Sequence, residues 1–221
     1  MEKHMPIIKT YWFFIVTLIV TLGIWLIGAN HFYFFKLNTL HVLLPDDLWI
    51  KINYITYSRS YILPALLIII TLLFKREKTL NVLLLIICYY VLFNYMKDFF
   101  HEARSYIQYD PATFYWLHPN DTGVSNAHRS FPSGHAGNAA IFFFTLSYFF
   151  AQHKLWLRTI LIAALAFVML ARIATGWHFP LDVLASAIIG YVLTKIFLNL
   201  PLPNVFNFIP FIKNKNTHDK L

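Results

Sequence analysis

Residues 128–138 read HRSFPSGHAGN in a chain otherwise dominated by Phe, Leu and Ile. Proline fixes the entry to a helix, serine is a strong N-cap, and glycine lets backbone approach a ligand. The stretch therefore predicts a helix that starts within Pro132-Ser133-Gly134-His135 and runs on through apolar residues. Free N–H groups and the positive end of the helix dipole make such a start an anion site. His135, in the first turn, stands at the edge of that anion. An ordinary capped helix with an interfacial histidine would show the same tetrapeptide, so its meaning depends on what surrounds it.

What surrounds it is a membrane protein. Of 221 residues, 58% are apolar and only 13% charged, whereas a soluble domain carries about a quarter of its residues charged. A helix needs about 20 apolar residues to cross the hydrocarbon layer. Segments 11–29, roughly 54–74, 79–96, 136–152, 155–171 and roughly 183–200 meet that pattern. The expected fold is all-α: a polytopic six-transmembrane-helix bundle forming one membrane-embedded domain over 1–221. In the second segment the uncharged core, 60–74, reaches only about 22 Å as a helix. It is therefore expected to begin upstream and to carry Arg59 near one membrane surface. The first segment is longer than a signal-peptide core and lacks a small-x-small site after it, so it reads as a retained helix. Cys88 is the sole cysteine, so no intrachain disulfide can form.

Orientation follows from basic residues in the loops. One side would hold Lys3, Lys9, Lys75, Arg76, Lys78, Lys154, Arg158, Lys213, Lys215 and Lys220. The other would hold Lys36, Lys51, Arg59, Lys97, Arg104, Arg129 and Arg172. The richer side is expected to be cytoplasmic, with both termini. The net charge of +8 then reports topology and anionic lipid headgroups, not nucleic acid.

The polar residues cluster. The third segment ends in Lys97-Asp-Phe-Phe-His-Glu-Ala-Arg104, the fourth begins at Pro132–His135, the fifth ends at Arg172, and the sixth begins near His178 and Asp182. The topology puts all four ends at the outer face. Ionisable residues at membrane depth are a functional hypothesis by default. Lys97 and Arg104, seven apart, would fall within about 20° of each other on a helix, two cations on one edge that suit a dianion. His101 lies near the same edge. His178 and Asp182 are four apart. A carboxylate on one ring nitrogen fixes the tautomer and leaves the other nitrogen free as nucleophile or base. Arg172 offers a planar fork for phosphate oxygens. Loops 30–53 and 105–129 would form the mouth, the second rich in Tyr106, Tyr109, Tyr115, Trp116 and His118, which suits the membrane interface. Arg59 and Arg129 are candidates for gripping a second phosphate or a sugar. His128, His135, His178 and Asp182 could be drawn as zinc ligands. Three nearby cations oppose that reading, and no zinc-type spacing supports it.

Lys97-x6-Arg104, Pro132-Ser-Gly-His135 and Arg172-x5-His178-x3-Asp182, in this order, resemble the signature of the type 2 phosphatidic acid phosphatase family. That family also includes soluble vanadium haloperoxidases and glucose-6-phosphatase. The resemblance covers 97–182 directly. Two positions depart from the usual pattern: Ser105, where the family usually has proline, and Ala171, where it usually has serine. The resemblance implies a metal-independent phosphoric monoester hydrolase with no cofactor. Lys97, Arg104, Arg172, Ser133 and the Gly134 amide would hold the phosphoryl oxygens. His178, oriented by Asp182, would attack phosphorus to form a phosphohistidine. His135 would protonate the leaving oxygen and then activate water. The layout is similar to small bacterial membrane lipid phosphatases acting at the periplasmic face of the inner membrane. Among these, lipid A phosphatases come first, the 4′-phosphate ahead of the 1-phosphate. Undecaprenyl pyrophosphate and phosphatidylglycerophosphate phosphatases need the same cradle. A non-catalytic anionic-lipid binder or transporter is the reading from another class, but it has no need of an oriented His178–Asp182 pair.

Overall fold

The computed structural model describes residues 7–57, 61–117 and 127–204, with side chains from residue 14 onward. Arg59 and His118 lie outside the described residues. Among the described residues nine α-helices follow one another: α1 (Ile7–Leu26), α2 (Asn30–Asn38), α3 (Asp46–Thr56), α4 (Ile62–Phe74), α5 (Thr79–Phe100), α6 (Ser105–Gln108), α7 (Gly134–Phe150), α8 (Leu155–Ala174) and α9 (Pro180–Asn199). Among the described residues there is no strand, in line with the all-α expectation.

Among the described residues three helical stretches are long and apolar enough to cross a membrane: Arg76–Gln108, which contains α5, then α8 and α9. Phe14–Leu26 and Asn30–Leu43 meet the same length and composition only as a pair, bent by 112° at their break. Of the remaining two expected spans, α4 is shorter than the sequence suggested, while α7 keeps the expected 17 residues and starts two residues earlier. Residues 54–56 finish α3 rather than opening α4, and Tyr61 takes a left-handed φ of 56° before α4 begins. The 13 residues of α4 reach about 20 Å, and the 17 of α7 about 26 Å, short of the roughly 30 Å hydrocarbon layer. Length and composition alone therefore do not yield six spans.

The central helix is α7. Gly134, Ala136, Gly137, Ala139 and Ala140 are all buried along its first turns, and small residues let membrane helices approach closely. A Cβ at Gly137 would lie 2.3 Å from the Phe93 ring of α5, and one at Gly190 of α9 would lie 2.6 Å from Ala140 Cβ. Neither contact leaves room for a side chain. Phe93, Tyr89, Ala140, Ile141, Leu165, Val183 and Ala187 close one apolar core around this helix.

Helix ends in a membrane must satisfy their free backbone groups internally. Here asparagines from neighbouring elements do so. Asn38 Nδ2 donates to the carbonyls of Ile173 (3.2 Å) and Ala174 (3.0 Å) at the end of α8. Asn30 Oδ1 accepts from Leu181 N at the start of α9, at 3.0 Å. At the opposite end of α9, Asn81 Nδ2 donates to Phe197 O (2.7 Å) and Leu200 O (3.0 Å). The bend between α1 and α2 thus lays Asn30 and Asn38 on the two helix ends that flank residues 175–179.

Four helix ends meet at that same face. Backbone bonds lace them together: Arg104 N to Ala127 O (2.9 Å), Ser130 N to Glu102 O (3.0 Å), Ser133 N to Asp182 O (3.3 Å) and Leu117 N to Thr175 O (3.2 Å).

Candidate active site

His178 lies between α8 and α9, two residues before the helix, and is 1% exposed. Its Nδ1 is 3.3 Å from Asp182 Oδ2. The pairing does not come from two residues on one helical face. Asp182, in the first turn of α9, folds its carboxylate back to accept from Phe179 N at 3.0 Å, and this cap brings it against the preceding imidazole. Ser130 Oγ donates to the same oxygen at 2.6 Å. The carboxylate is therefore held from three directions. On the other side of the ring, Arg104 Nη1 is 3.3 Å from Nε2. A guanidinium can only donate, so Nε2 presents its lone pair and the ring proton is assigned to Nδ1, facing Asp182.

Lys97 and Arg104 reach the site by different routes from the one their spacing suggested. The α5 helix ends at Phe100, His101 takes a left-handed φ of 47°, and Arg104 stands in extended backbone. The two cations are thus not on one helical edge. They converge nonetheless on one acceptor: Lys97 Nζ donates to Arg129 O at 2.9 Å and Arg104 Nη2 to the same carbonyl at 3.2 Å. Lys97 also donates to Pro132 O, and Arg104 Nη1 to Trp177 O at 3.1 Å. Arg172, 3% exposed, donates from Nη1 to Asn53 Oδ1 at 2.6 Å, and its Nε has no hydrogen-bond partner. The guanidiniums of Arg104 and Arg172 lie 5.3 and 5.6 Å from the Trp177 ring centroid, an attraction that offsets part of their mutual repulsion. Carbonyls, an amide and an indole hold these cations, and the Asp182 carboxylate acts on Lys97 and Arg104 electrostatically, so three cations share the field of one carboxylate.

Ser133 caps α7 as expected, its Oγ accepting from Ala136 N at 3.4 Å, with Gly134 as first helical residue. The peptide between Phe131 and Pro132 is cis. His135 is half-buried, within electrostatic range of Arg172, Arg104, Lys97 and the His178 ring. The Tyr57 ring stacks on it, centroids 5.2 Å apart at 30°.

Other candidates sit elsewhere. His101 is exposed and stacks flat on His128, 4.9 Å away; the helix ends before it, so it never joins the cation edge. The Arg129 guanidinium turns to Asp98 and Asn94, and it is the Arg129 carbonyl that serves the site. With His128 on His101, the drawn zinc set does not assemble. Among the described residues no three His, Cys, Asp or Glu side chains cluster in a way that could hold a metal ion. Of the departures from the family pattern, Ser105 is buried and its hydroxyl donates to Gly176 O, a bond that proline cannot make. Ala171 is buried beside Trp49, Leu117 and Ala174. Sequence reasoning missed Ser130, Asn53, Tyr57 and Trp177. Ser130 was legible only as a second serine inside HRSFPSGH, and the other three carry no local signal.

Burial foremost, then Arg104, Arg172, Lys97 and His135, pushes the His178 imidazole well below its ordinary pKa. The unfolded chain would protonate this residue near pH 6.5 while the folded chain refuses the proton. Stability is thus fully present above about pH 6.5 and falls as pH drops from there toward the folded value. Thermal unfolding of ligand-free protein between pH about 7.5 and 5.5 should show a steeper loss for wild type than for His178→Gln. Parallel slopes would contradict the assignment.

The PAP2 superfamily model matches residues 78–205. No curated protein matches the chain. Among solved structures, LpxE of Aquifex aeolicus is 29% identical, with a TM-score of 0.62, covering 77% of this chain and 95% of its own. The first transmembrane PAP2 type phosphatidylglycerolphosphate phosphatase from Bacillus subtilis is 24% identical, with a TM-score of 0.56, covering 86% of this chain and 94% of its own.

Proposed function

Since the chain belongs to the PAP2 superfamily, we propose that it is a membrane lipid phosphatase that removes a phosphate monoester through a phosphohistidine on His178. The observation that carries this reading is the Arg104–His178–Asp182 line. A neutral imidazole has one nitrogen on a carboxylate and the other, unprotonated, beside a phosphate-binding guanidinium at 3.3 Å. A binder would gain nothing from fixing that tautomer. A nucleophile needs it.

In the first half-reaction, Nε2 attacks phosphorus in line while the bond to the lipid oxygen breaks and His135 delivers a proton to that oxygen. In the second, His135 takes a proton from water as the water attacks the phosphohistidine, and inorganic phosphate leaves. Lys97, Arg104, Arg172, Ser133 and the Gly134 amide stabilise the charge on the equatorial oxygens. No metal enters the scheme. We place the protein in a bacterial inner membrane, the site toward the periplasm and both termini cytoplasmic. Lipid A is the first substrate to test, its 4′-phosphate ahead of its 1-phosphate, followed by phosphatidylglycerophosphate and undecaprenyl pyrophosphate.

The test is phosphate release by purified protein in detergent containing EDTA, from each of the three lipids, with mass spectrometry locating the phosphate lost. Release from at least one lipid is expected, with lipid A losing its 4′-phosphate. No release from any of the three would favour an anionic-lipid binder or transporter instead.

A further inference from the structure

The two imidazoles have different supports. His178 has a carboxylate, whereas among the described residues it is an aromatic ring that is set against His135. The end of α3 brings it there: the Tyr57 ring covers the imidazole face, centroids 5.2 Å apart. The Asn53 side chain accepts from Arg172 Nη1 at 2.6 Å, so the same arm touches a phosphate-binding cation. This end of α3 is itself anchored to α7. Asn138, one turn beyond His135, donates from Nδ2 to Thr56 O at 3.2 Å. The arm 53–57 is thus tied at its far side to the helix that carries the histidine it supports.

We propose that Tyr57 is a positioning residue that aims His135 at the oxygen of the departing alcohol; this rests on the phosphatase reading above. The stack fixes the plane of the ring, and with it the direction in which the ring N–H points, which is what a general acid needs. When the P–O bond breaks, the electron pair goes to the alcohol oxygen and the His135 proton follows it, leaving a neutral imidazole for the water step.

The distinguishing experiment uses the leaving group. An alkoxide from a lipid phosphate needs that proton, whereas nitrophenolate leaves without it. Phosphatidic acid and p-nitrophenyl phosphate should therefore respond differently in kcat/KM, which reports steps up to departure of the alcohol. Tyr57→Leu should lose about tenfold or more on phosphatidic acid, a fraction of what general acid catalysis contributes, with less than about twofold lost on p-nitrophenyl phosphate. Tyr57→Phe, which keeps the ring face, should keep the ratio of kcat/KM between the two esters at the wild-type value. A misfolded fraction lowers both substrates equally, so partial unfolding cannot imitate the result. Equal losses on the two esters, or no loss on either, would overturn the proposal. If wild type releases phosphate from neither ester and from none of the three lipids named above, the phosphatase reading falls and takes the proposal with it.

Discussion

Replacing His178 by alanine should reduce the turnover number by on the order of 10⁴ or more, the scale seen when a nucleophile is deleted from a preorganised site. Asp182→Asn should cost about 10² to 10⁴, because an amide can turn its NH₂ toward Nδ1 and push the ring proton onto Nε2, where it blocks attack. Ser130 limits that rotation, since its hydroxyl holds Oδ2 at 2.6 Å, and Ser130→Ala should therefore deepen the defect of Asp182→Asn while doing little alone. The covalent step can be watched directly. His135→Gln given p-nitrophenyl phosphate should form the phosphoenzyme but stall at the water step, so that label accumulates on the protein. His178→Ala should show no label under the same conditions. Substantial turnover by His178→Ala, or label on that variant, would assign the nucleophile elsewhere.

Much of this site was legible before any geometry, and the reason is chemical. A phosphate cradle needs several cations and an oriented imidazole, and a membrane protein that is 13% charged has few places to hide them. Lys97, Arg104, His135, Arg172, His178 and Asp182 therefore stood out against the apolar background. What failed was local conformation. The sequence pattern 97–104 reads as two turns of helix, but α5 stops at Phe100 and a left-handed residue redirects the chain. Both cations still reach Arg129 O, because a long flexible side chain tolerates a wrong backbone path. The short arm 53–57 was invisible for the opposite reason. Asn53 acts through a side chain whose partner, Arg172, is far along the sequence, and Tyr57 through a ring face that any interfacial tyrosine could present. Whether α4 and α7 complete their crossings depends on the bilayer around them, which composition does not encode.

Arg172→Met separates what the cluster does for chemistry from what it does for the fold. Arg172 is 3% exposed and Arg104 8%, and Lys97 interacts electrostatically with both. Asp182, whose carboxylate acts on Lys97 and Arg104 electrostatically, has its Oδ2 committed to His178, Ser130 and Phe179 N. Burying several like charges around one carboxylate is unfavourable, and replacing a buried charge by an apolar side chain of similar volume is often neutral or stabilising. Asn53 would lose the Arg172 donor, but it is only half-buried, and water can replace that bond. The expected result is a thermal midpoint equal to or above that of wild type, alongside a loss of about 10³ in kcat/KM, the scale of a transition-state arginine in phosphoryl transfer. Vanadate or phosphate at about 100 times its Kd should stabilise wild type by about 2.7 kcal/mol, since the anion supplies the missing charge, and should leave Arg172→Met unmoved at the same concentration. Arg172→Lys should recover only part of the activity, because an ammonium restores the charge without the fork. A variant that unfolds at markedly lower temperature would mean that the guanidinium serves chiefly to brace Asn53 and Trp177, and anion stabilisation surviving in Arg172→Met would move the phosphate contact onto Lys97 and Arg104 alone.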